Sequence, residues 1–358
     1  HPTRALINLE SFHHNIGVVR KFIGEKVGII AVVKANAYGH GMELITKEAV
    51  KNGVSYLGVA RVTEGIDLRK TGFSVPILLF EIIPPEYVEQ GVVYSLDMTV
   101  CTIEEAKRIE SVAERLKRKA RIHVNVDTGA AEFVEQVARM KWLDIAAIYS
   151  HFATSEDPDQ TFAKEQLKRF QTVLDELNKR RIEIPLKHMA NTGAIMSLPE
   201  SHFDLVRPGF MMYGYTPRKG MDTSNQLKPV MSIVAKVSLL KKVEKGTSIS
   251  YGRKYIAPYD THIATVPIGY GDGYSRMLTG KSDVIIRGKR YPVAGAVTMD
   301  HIMVDVGAKD EVEVGDNVTI MGSDGRESIS AYDIADRLGT IPYEVICMVT
   351  DRVPRVVV

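Results

Sequence analysis

A (β/α)8 barrel followed by a smaller C-terminal all-β domain is the fold class this sequence predicts, and three observations predict it. Eight short apolar, β-branched runs recur along the first 210 residues or so; amphipathic, charged segments fill the intervals; and past about residue 220 the long helical segments give way to short strands and turns. The strand candidates, in order, are "IIAVVK" (29–34), "YLGVA" (56–60), "PILLF" (76–80), "LDMTVC" (96–101), "RIHVNVDT" (121–128), "DIAAIYSHF" (144–152), "LKHMAN" (186–191) and "DLVRPG" (204–209). They read as near-continuous apolar runs, as parallel strands covered on both faces do. Between them, "TIEEAKRIESVAERLKRK" (102–119) and "QTFAKEQLKRFQTVLDELNKRR" (160–181) repeat apolar residues every three or four positions, which predicts helices. An open doubly wound sheet would use the same alternation, but it calls for a glycine fingerprint after its first strand, and "KANAYGHG" is not one.

The second region contains "PVMSIVAKVSLLKKV", "HIATVPIGY", "DVIIRGKRYPVAG", "HIMVDVG" and "DNVTIMG", with one helical insert near "SAYDIADRLG" (330–339). The expected division is therefore a barrel domain over residues 1–220 and a β domain over 221–358. No repeat of fixed period and no low-complexity linker interrupts it.

Charge and cysteine content narrow the function. The formal net charge is only +2 and there is no long basic run, so neither nucleic acid nor an anionic membrane is an expected partner. Cys101 and Cys347 stand far apart without CxxC spacing, which argues against a disulfide framework and against a structural metal. The apolar run "VGIIAVV" (27–33) is too short to span a bilayer and lacks a signal peptide's layout. A cytoplasmic protein acting on a small molecule is the expectation.

In a barrel of this kind the chemistry sits at the C-terminal ends of the strands. Lys34, Asp127, His151, Asn191 and Arg207 all fall there. Lys34 directly follows an apolar run and precedes small residues that allow a ligand close to the backbone. A desolvated lysine has a lowered pKa and becomes an amine nucleophile for a carbonyl, which suggests a Schiff base.

The stretch "AVVKANAYGHG" closely resembles the pyridoxal phosphate lysine motif of the alanine racemase family. The stretches "SHFATSE" (150–156), "MANTGA" (189–194), "RPGFMMYG" (207–214), "LKPVMS" (227–232), "ISYG" (249–252), "PIGYGDGY" (267–274), "VTMDHIMVDV" (297–306) and "YEVICMVTDRVPR" (343–355) agree in order and spacing, so the resemblance covers nearly the whole chain. It implies a pyridoxal 5'-phosphate enzyme that removes a proton from Cα on one face and returns one on the other, which calls for two bases. By resemblance these are Lys34, which also holds the cofactor, and Tyr251. His151 and Arg207 resemble the family's network for activating that phenol, and Arg207 matches the arginine facing the pyridine nitrogen. The phosphate would be held by Tyr38, Thr192 and the backbone N–H groups of Gly209 and Phe210, with Asn191 nearby. Met299 matches a residue whose backbone N–H receives the substrate carboxylate, and Tyr270 an aromatic at the site entrance. In the family Tyr251, Tyr270 and Met299 come from the partner subunit, which implies a homodimer with shared active sites.

Three positions depart from the family pattern. Where the family usually has a lysine, often carbamylated, this chain has Asn125, leaving open whether an anion such as chloride lies beside it. Where the family has the arginine that this lysine orients, the chain has Glu132. Either another cation serves there, or carboxylate binding is weaker, or the loop is rebuilt so that Glu132 points to solvent. Near the C-terminus Thr350-Asp351 replaces Ser-Tyr. Aspartate is smaller and anionic, so Asp351 would open the pocket and could attract a cationic side chain, giving a substrate range broadened to lysine or ornithine beside alanine. The other reading is that Asp351 pairs with Arg352 or Arg355 and the enzyme is an ordinary alanine racemase supplying D-alanine for peptidoglycan. Two further classes compete. Amino-acid decarboxylases of similar architecture typically set an acid at the pyridine nitrogen and a catalytic cysteine in the β domain, whereas this chain offers Arg207 and places Cys347 outside such a motif. A non-catalytic pyridoxal phosphate binder would lack the second domain with Tyr251.

Overall fold

The computed structural model describes residues 2–126, 131–221, 226–309 and 311–358. The chain divides into two compact units, one of Ser11–Ala37 and Met42–Lys228, the other of His1–Glu10, Tyr38–Gly41 and Pro229–Val358. Strand β1 (Arg4–Ile7) belongs to the second unit. The first unit is a closed barrel of eight parallel strands in sequence order: β2 (Gly28–Val32), β3 (Tyr56–Val59), β4 (Ile77–Ile82), β5 (Asp97–Val100), β6 (Ala120–Asn125), β7 (Leu143–Tyr149), β8 (Leu186–Asn191) and β9 (Leu205–Arg207). Each expected run overlaps one of these strands, with ends that differ by a few residues. Closure is made where β2 pairs with β9, Gly28 opposite Leu205. A Cβ on Gly28 would come within 2.4 Å of the Leu205 side chain and 2.6 Å of Ser55 Oγ, so a larger residue at the seam would force both to shift.

The helix expected over 102–119 spans Ile103–Arg115. Thr102 and Glu105 cap it reciprocally, each side chain accepting from the other's backbone N–H, and Ala106, Ile109 and Ala113 form its buried stripe. It stops short because Lys117 takes a left-handed conformation, φ 53°, that turns the chain into β6. The helix expected over 160–181 spans Thr161–Lys179, with Ala163, Leu167, Phe170, Val173 and Leu177 buried.

In the second unit β1 lies between β10 (Met231–Lys236), antiparallel, and β20 (Arg355–Val357), parallel. Strands β11 (Leu239–Val243), β14 (Thr261–Val266) and β17 (Ile302–Gly307) form a separate three-stranded sheet, and β12 (Ser248–Ile249) pairs with β13 (Tyr255–Ile256). With β15 (Asp283–Ile286), β16 (Lys289–Pro292), β18 (Asn317–Asp324) and β19 (Glu327–Ile329), the large sheet runs β16-β15-β18-β10-β1-β20, with β19 on β18. The expected helical insert is Ala331–Leu338, opened by Ser330 and closed by Gly339 at φ 71°. A second short helix, Pro342–Cys347, follows it; proline at its first position supplies the φ that starts a helix. Among the described residues no helix is long and apolar enough to cross a membrane.

Candidate active site

Parallel barrel strands deliver their C-terminal residues to one rim, and this places Lys34, His151, Asn191 and Arg207 at the ends of β2, β7, β8 and β9. Asp127 lies outside the described residues. Lys34 is half-buried behind the fully buried Val33, with its Nζ 5.9 Å from the centre of the Phe80 ring. The backbone then makes a left-handed turn without glycine: Ala35, Asn36, Ala37 and Tyr38 all have φ of 52–53°. Each such residue costs about 1–2 kcal/mol relative to right-handed backbone, so its surroundings must hold it. The Glu64 carboxylate does so, accepting from the N–H groups of Ala35 at 2.7 Å, Ala60 at 2.9 Å and Arg61 at 3.0 Å. Asn36 Oδ1 accepts from Met42 N at 2.8 Å, closing the far side of the loop.

Arg207 is not the surface ion-pair arginine that its type alone would suggest. It is 4% exposed, and among the described residues no carboxylate lies within ion-pair distance. Its Nη2 donates to Ser150 O and Met189 O, both at 2.8 Å, and to His151 Nδ1 at 3.1 Å. Its Nη1 donates to His188 Nδ1. Burial lowers its pKa to about 10, so it remains a cation at neutral pH. A guanidinium can only donate, hence His151 accepts at Nδ1 and carries its own proton on Nε2. The His151 pKa is held down to about 4 by desolvation and by the nearby charges of Arg207 and Lys34, although part of the residue is open to solvent. His151 is therefore neutral at pH 7.

Asn191 and Thr192 join the ends of β8 and β9. Asn191 Oδ1 accepts from Ser155 Oγ at 2.6 Å and from Ala194 N at 3.1 Å, capping the short helix Thr192–Ser197. The buried Thr192 hydroxyl accepts from Met211 N at 3.4 Å in the short helix Gly209–Met212, which begins with Gly209 and Phe210. A primary amine, a buried guanidinium, a hydroxyl and closely set backbone N–H groups on one rim suit a pyridine aldehyde phosphate. The amine would meet the aldehyde, the guanidinium the ring nitrogen, and the hydroxyl and backbone donors the phosphate.

The remaining expected residues belong to the β unit. Tyr251, Tyr270 and Met299 line one cleft there with Ser250, Arg276 and His301, and they are 76, 43 and 51% exposed. Taken singly, a tyrosine or methionine is a core residue; none of these three packs as one. Their loops are tied down: Ser250 Oγ donates to Ala296 O at 2.7 Å, Tyr270 N to Thr298 O at 3.0 Å, and Gly271 N to Met299 O at 2.9 Å. Tyr38 sits against Tyr343, ring centres 6.3 Å apart, and burial together with Cys347 raises its pKa above the ordinary phenol value. Next to it Gly39, at φ 80°, could not carry a Cβ, which would lie 2.3 Å from Ile346 O.

The three departures from the family pattern have defined surroundings. Asn125 ends β6, half-buried. Glu132 lies in the first turn of the helix Ala131–Ala138 with an 80% exposed side chain 3.7 Å from Arg180. Asp351 is 96% exposed, 3.9 Å from Arg355, while Arg352 pairs instead with Asp300 at 2.7 Å and Asp272 at 3.3 Å.

Two groups escaped the sequence reading. Glu64 is legible only as a helix-capping acid. His123 and His188, each in the middle of an apolar barrel strand, carried a signal, since a buried histidine needs a partner on each ring nitrogen it protonates or deprotonates.

Residues 7–217 match the family described as alanine racemase, N-terminal domain, and residues 230–357 the alanine racemase, C-terminal domain. An alanine racemase of Desulforamulus reducens is 42% identical over 367 residues, covering 99% of this chain and 98% of the relative. Alanine racemase 2 of Caldanaerobacter subterraneus subsp. tengcongensis is 40% identical, covering 99% and 94%. Among solved structures, the alanine racemase of Clostridium difficile 630 in complex with cycloserine superposes with a TM-score of 0.95 at 36% identity, over 100% of this chain and 96% of that one.

Proposed function

From the premise that the chain belongs to the alanine racemase family, whose members are pyridoxal-phosphate-dependent isomerases, we propose that it interconverts L- and D-alanine by two-base proton transfer between Lys34 and Tyr251. The observation that carries this reading is the rim itself: an amine at the end of β2, and a buried Arg207, without a carboxylate partner among the described residues, bonded to a neutral His151. Alanine is preferred over lysine or ornithine because whole-length relatives named alanine racemase support it, and because Asp351 faces solvent and Arg355.

Bound pyridoxal phosphate supplies an electron sink for the charge left on Cα when its proton is removed. Lys34 would hold the cofactor, and its amine is the base that takes or returns the Cα proton on one face. Tyr251 of a second copy does so on the other face. His151, accepting from Arg207 and carrying a proton on Nε2, can offer that proton toward the phenolate of Tyr251 and so lower the cost of ionising it. Arg207 keeps its own proton, so toward a ring nitrogen it would stand as a hydrogen-bond donor that does not protonate it, which would weaken the sink and limit side reactions. Thr192, Tyr38, Gly209 and Phe210 would hold the phosphate, Asn191 fixes the turn that carries Thr192, and the Met299 backbone and Tyr270 would receive the substrate. The homodimer follows from the same reading, supported by the exposure of Tyr251, Tyr270 and Met299.

Racemisation and solvent exchange at Cα test the proposal together. Lys34→Ala is expected to abolish the absorbance of covalently held cofactor along with activity. Tyr251→Phe is expected to lose racemisation by roughly 10²-fold or more while still exchanging the α-proton of one enantiomer with retention. An unchanged cofactor spectrum in Lys34→Ala, or carbon dioxide release by the wild type, refutes the reading.

A further inference from the structure

Taking Arg207 as the group that faces the cofactor ring nitrogen, we propose that Asp97, His123 and His188 are positioning residues that hold its guanidinium in one orientation through a polar chain crossing the barrel interior. The chain draws on four strands. Arg207 on β9 donates from Nη1 to His188 Nδ1 on β8; His188 Nε2 lies 3.1 Å from His123 Nδ1 on β6; and His123 Nε2 lies 3.3 Å from Asp97 Oδ2 on β5. His123 and His188 are wholly buried and Asp97 is 1% exposed. Arg121 anchors the far end, its Nε and Nη2 donating to the two Asp97 oxygens at 3.0 and 3.2 Å, and its Nη2 also to Tyr56 OH at 2.8 Å. Tyr149 on β7 stacks flat on His188, centres 4.7 Å and planes 7° apart, and its hydroxyl is fixed 2.9 Å from Thr99 Oγ1.

The direction of every link follows from its first. A guanidinium has no acceptor, so His188 must accept at Nδ1 and carry its proton on Nε2. That proton points at His123 Nδ1, which accepts, leaving the His123 proton on Nε2, where Asp97 Oδ2 at 3.3 Å is an electrostatic neighbour without hydrogen-bond alignment. Both rings are thus neutral Nε2–H tautomers, and burial favours the same state by lowering both pKa values. Groups facing the rings agree: His188 has Arg207, His123, Tyr149 and His151 around it, and His123 has Asp97, Arg121, Tyr56, Tyr149 and His188. A second proton on either ring would set N–H against N–H or against the guanidinium. With Nη2 shared among three acceptors and Nη1 tied to His188, the guanidinium cannot rotate about its Nε–Cζ bond without breaking the set. Its Nε–H and second Nη1 hydrogen remain for a ligand.

The test uses holoenzyme labelled with 15N-histidine and loaded with pyridoxal phosphate labelled at the ring nitrogen, as wild type, His188→Phe, His188→Asn and Asp97→Asn. In the wild type both histidines are expected as neutral Nε2–H tautomers from pH 6 to 8. His188→Phe is expected to lower kcat about ten- to hundred-fold with KM changed less than about three-fold. Its ring-nitrogen resonance should move toward that of an unbonded pyridine. His188→Asn, whose side-chain oxygen can stand near the lost Nδ1, should restore much of both. Asp97→Asn keeps the shape, removes the terminal charge, and should shift the same resonance in the same direction by less; it also carries the test if His188→Phe does not fold. An Nδ1–H tautomer at His123 or His188, or a ring-nitrogen resonance identical in all four proteins, overturns the proposal. A wild type that binds no pyridoxal phosphate would instead overturn the functional reading, while its histidine tautomers still report on the chain.

Discussion

At the residue scale, charge and exposure separate groups that look alike in the sequence. Arg207 and Arg355 both follow short runs near a "VRP" or "VPR" stretch, yet Arg207 is buried with neutral acceptors while Arg355 spends its donors on the carbonyls of Gly39, Val349, Thr350 and Val353. Asp351 then has Arg355 as its nearest cation at 3.9 Å, with nearly all of its own surface in water. An exposed pair of this kind contributes about 0–1 kcal/mol, too little to select a cationic substrate. Asp351→Asn is accordingly expected to leave the lysine-to-alanine ratio of kcat/KM unchanged within about two-fold. A clear fall in that ratio, measured for alanine, serine, lysine and ornithine, would restore the cationic-pocket reading.

At the element scale, the decisive piece is the left-handed turn after β2. Nothing in the composition of "KANAY" announces it, because alanine and tyrosine at positive φ are disfavoured and no glycine marks the position. Glu64 offsets part of that cost, since a carboxylate accepting three N–H groups makes charge-assisted bonds stronger than neutral ones. Glu64→Gln keeps the length of the side chain but turns one oxygen into a donor facing backbone N–H groups. It should lower unfolding stability by roughly 1–2 kcal/mol and weaken retention of the cofactor at Lys34 by more than it changes KM for alanine. Denaturant unfolding and cofactor release on dilution measure the two effects. Equal loss from Glu64→Gln and from a helix-cap change such as Thr102→Ala, with cofactor retention untouched in both, would make Glu64 only a cap.

At the scale of the whole molecule, legibility follows the range of the interaction. The eight barrel strands could be read because each is buried on both faces and therefore locally apolar, and the rim residues because they end those strands. Strand β1 could not, since its partners Met231–Lys236 and Arg355–Val357 lie more than 200 residues away and only pairing makes Arg4–Ile7 a strand. The chain from Asp97 to Arg207 was hidden for the same reason: its links join strands that are distant in sequence. Tyr251 and Met299 were legible only through resemblance, and their exposure leaves the question of which subunit they serve to experiment. Mixing Lys34→Ala and Tyr251→Phe protomers answers it. If each site takes Lys34 from one subunit and Tyr251 from the other, a mixed dimer contains one site with both defects and one intact site. Random reassociation makes half of the dimers mixed, so activity should return to about a quarter of wild type from two inactive parents, the number a two-fold dimer with shared sites requires. A mixture no more active than its parents, under conditions where subunits demonstrably exchange, would place Lys34 and Tyr251 in the service of the same subunit.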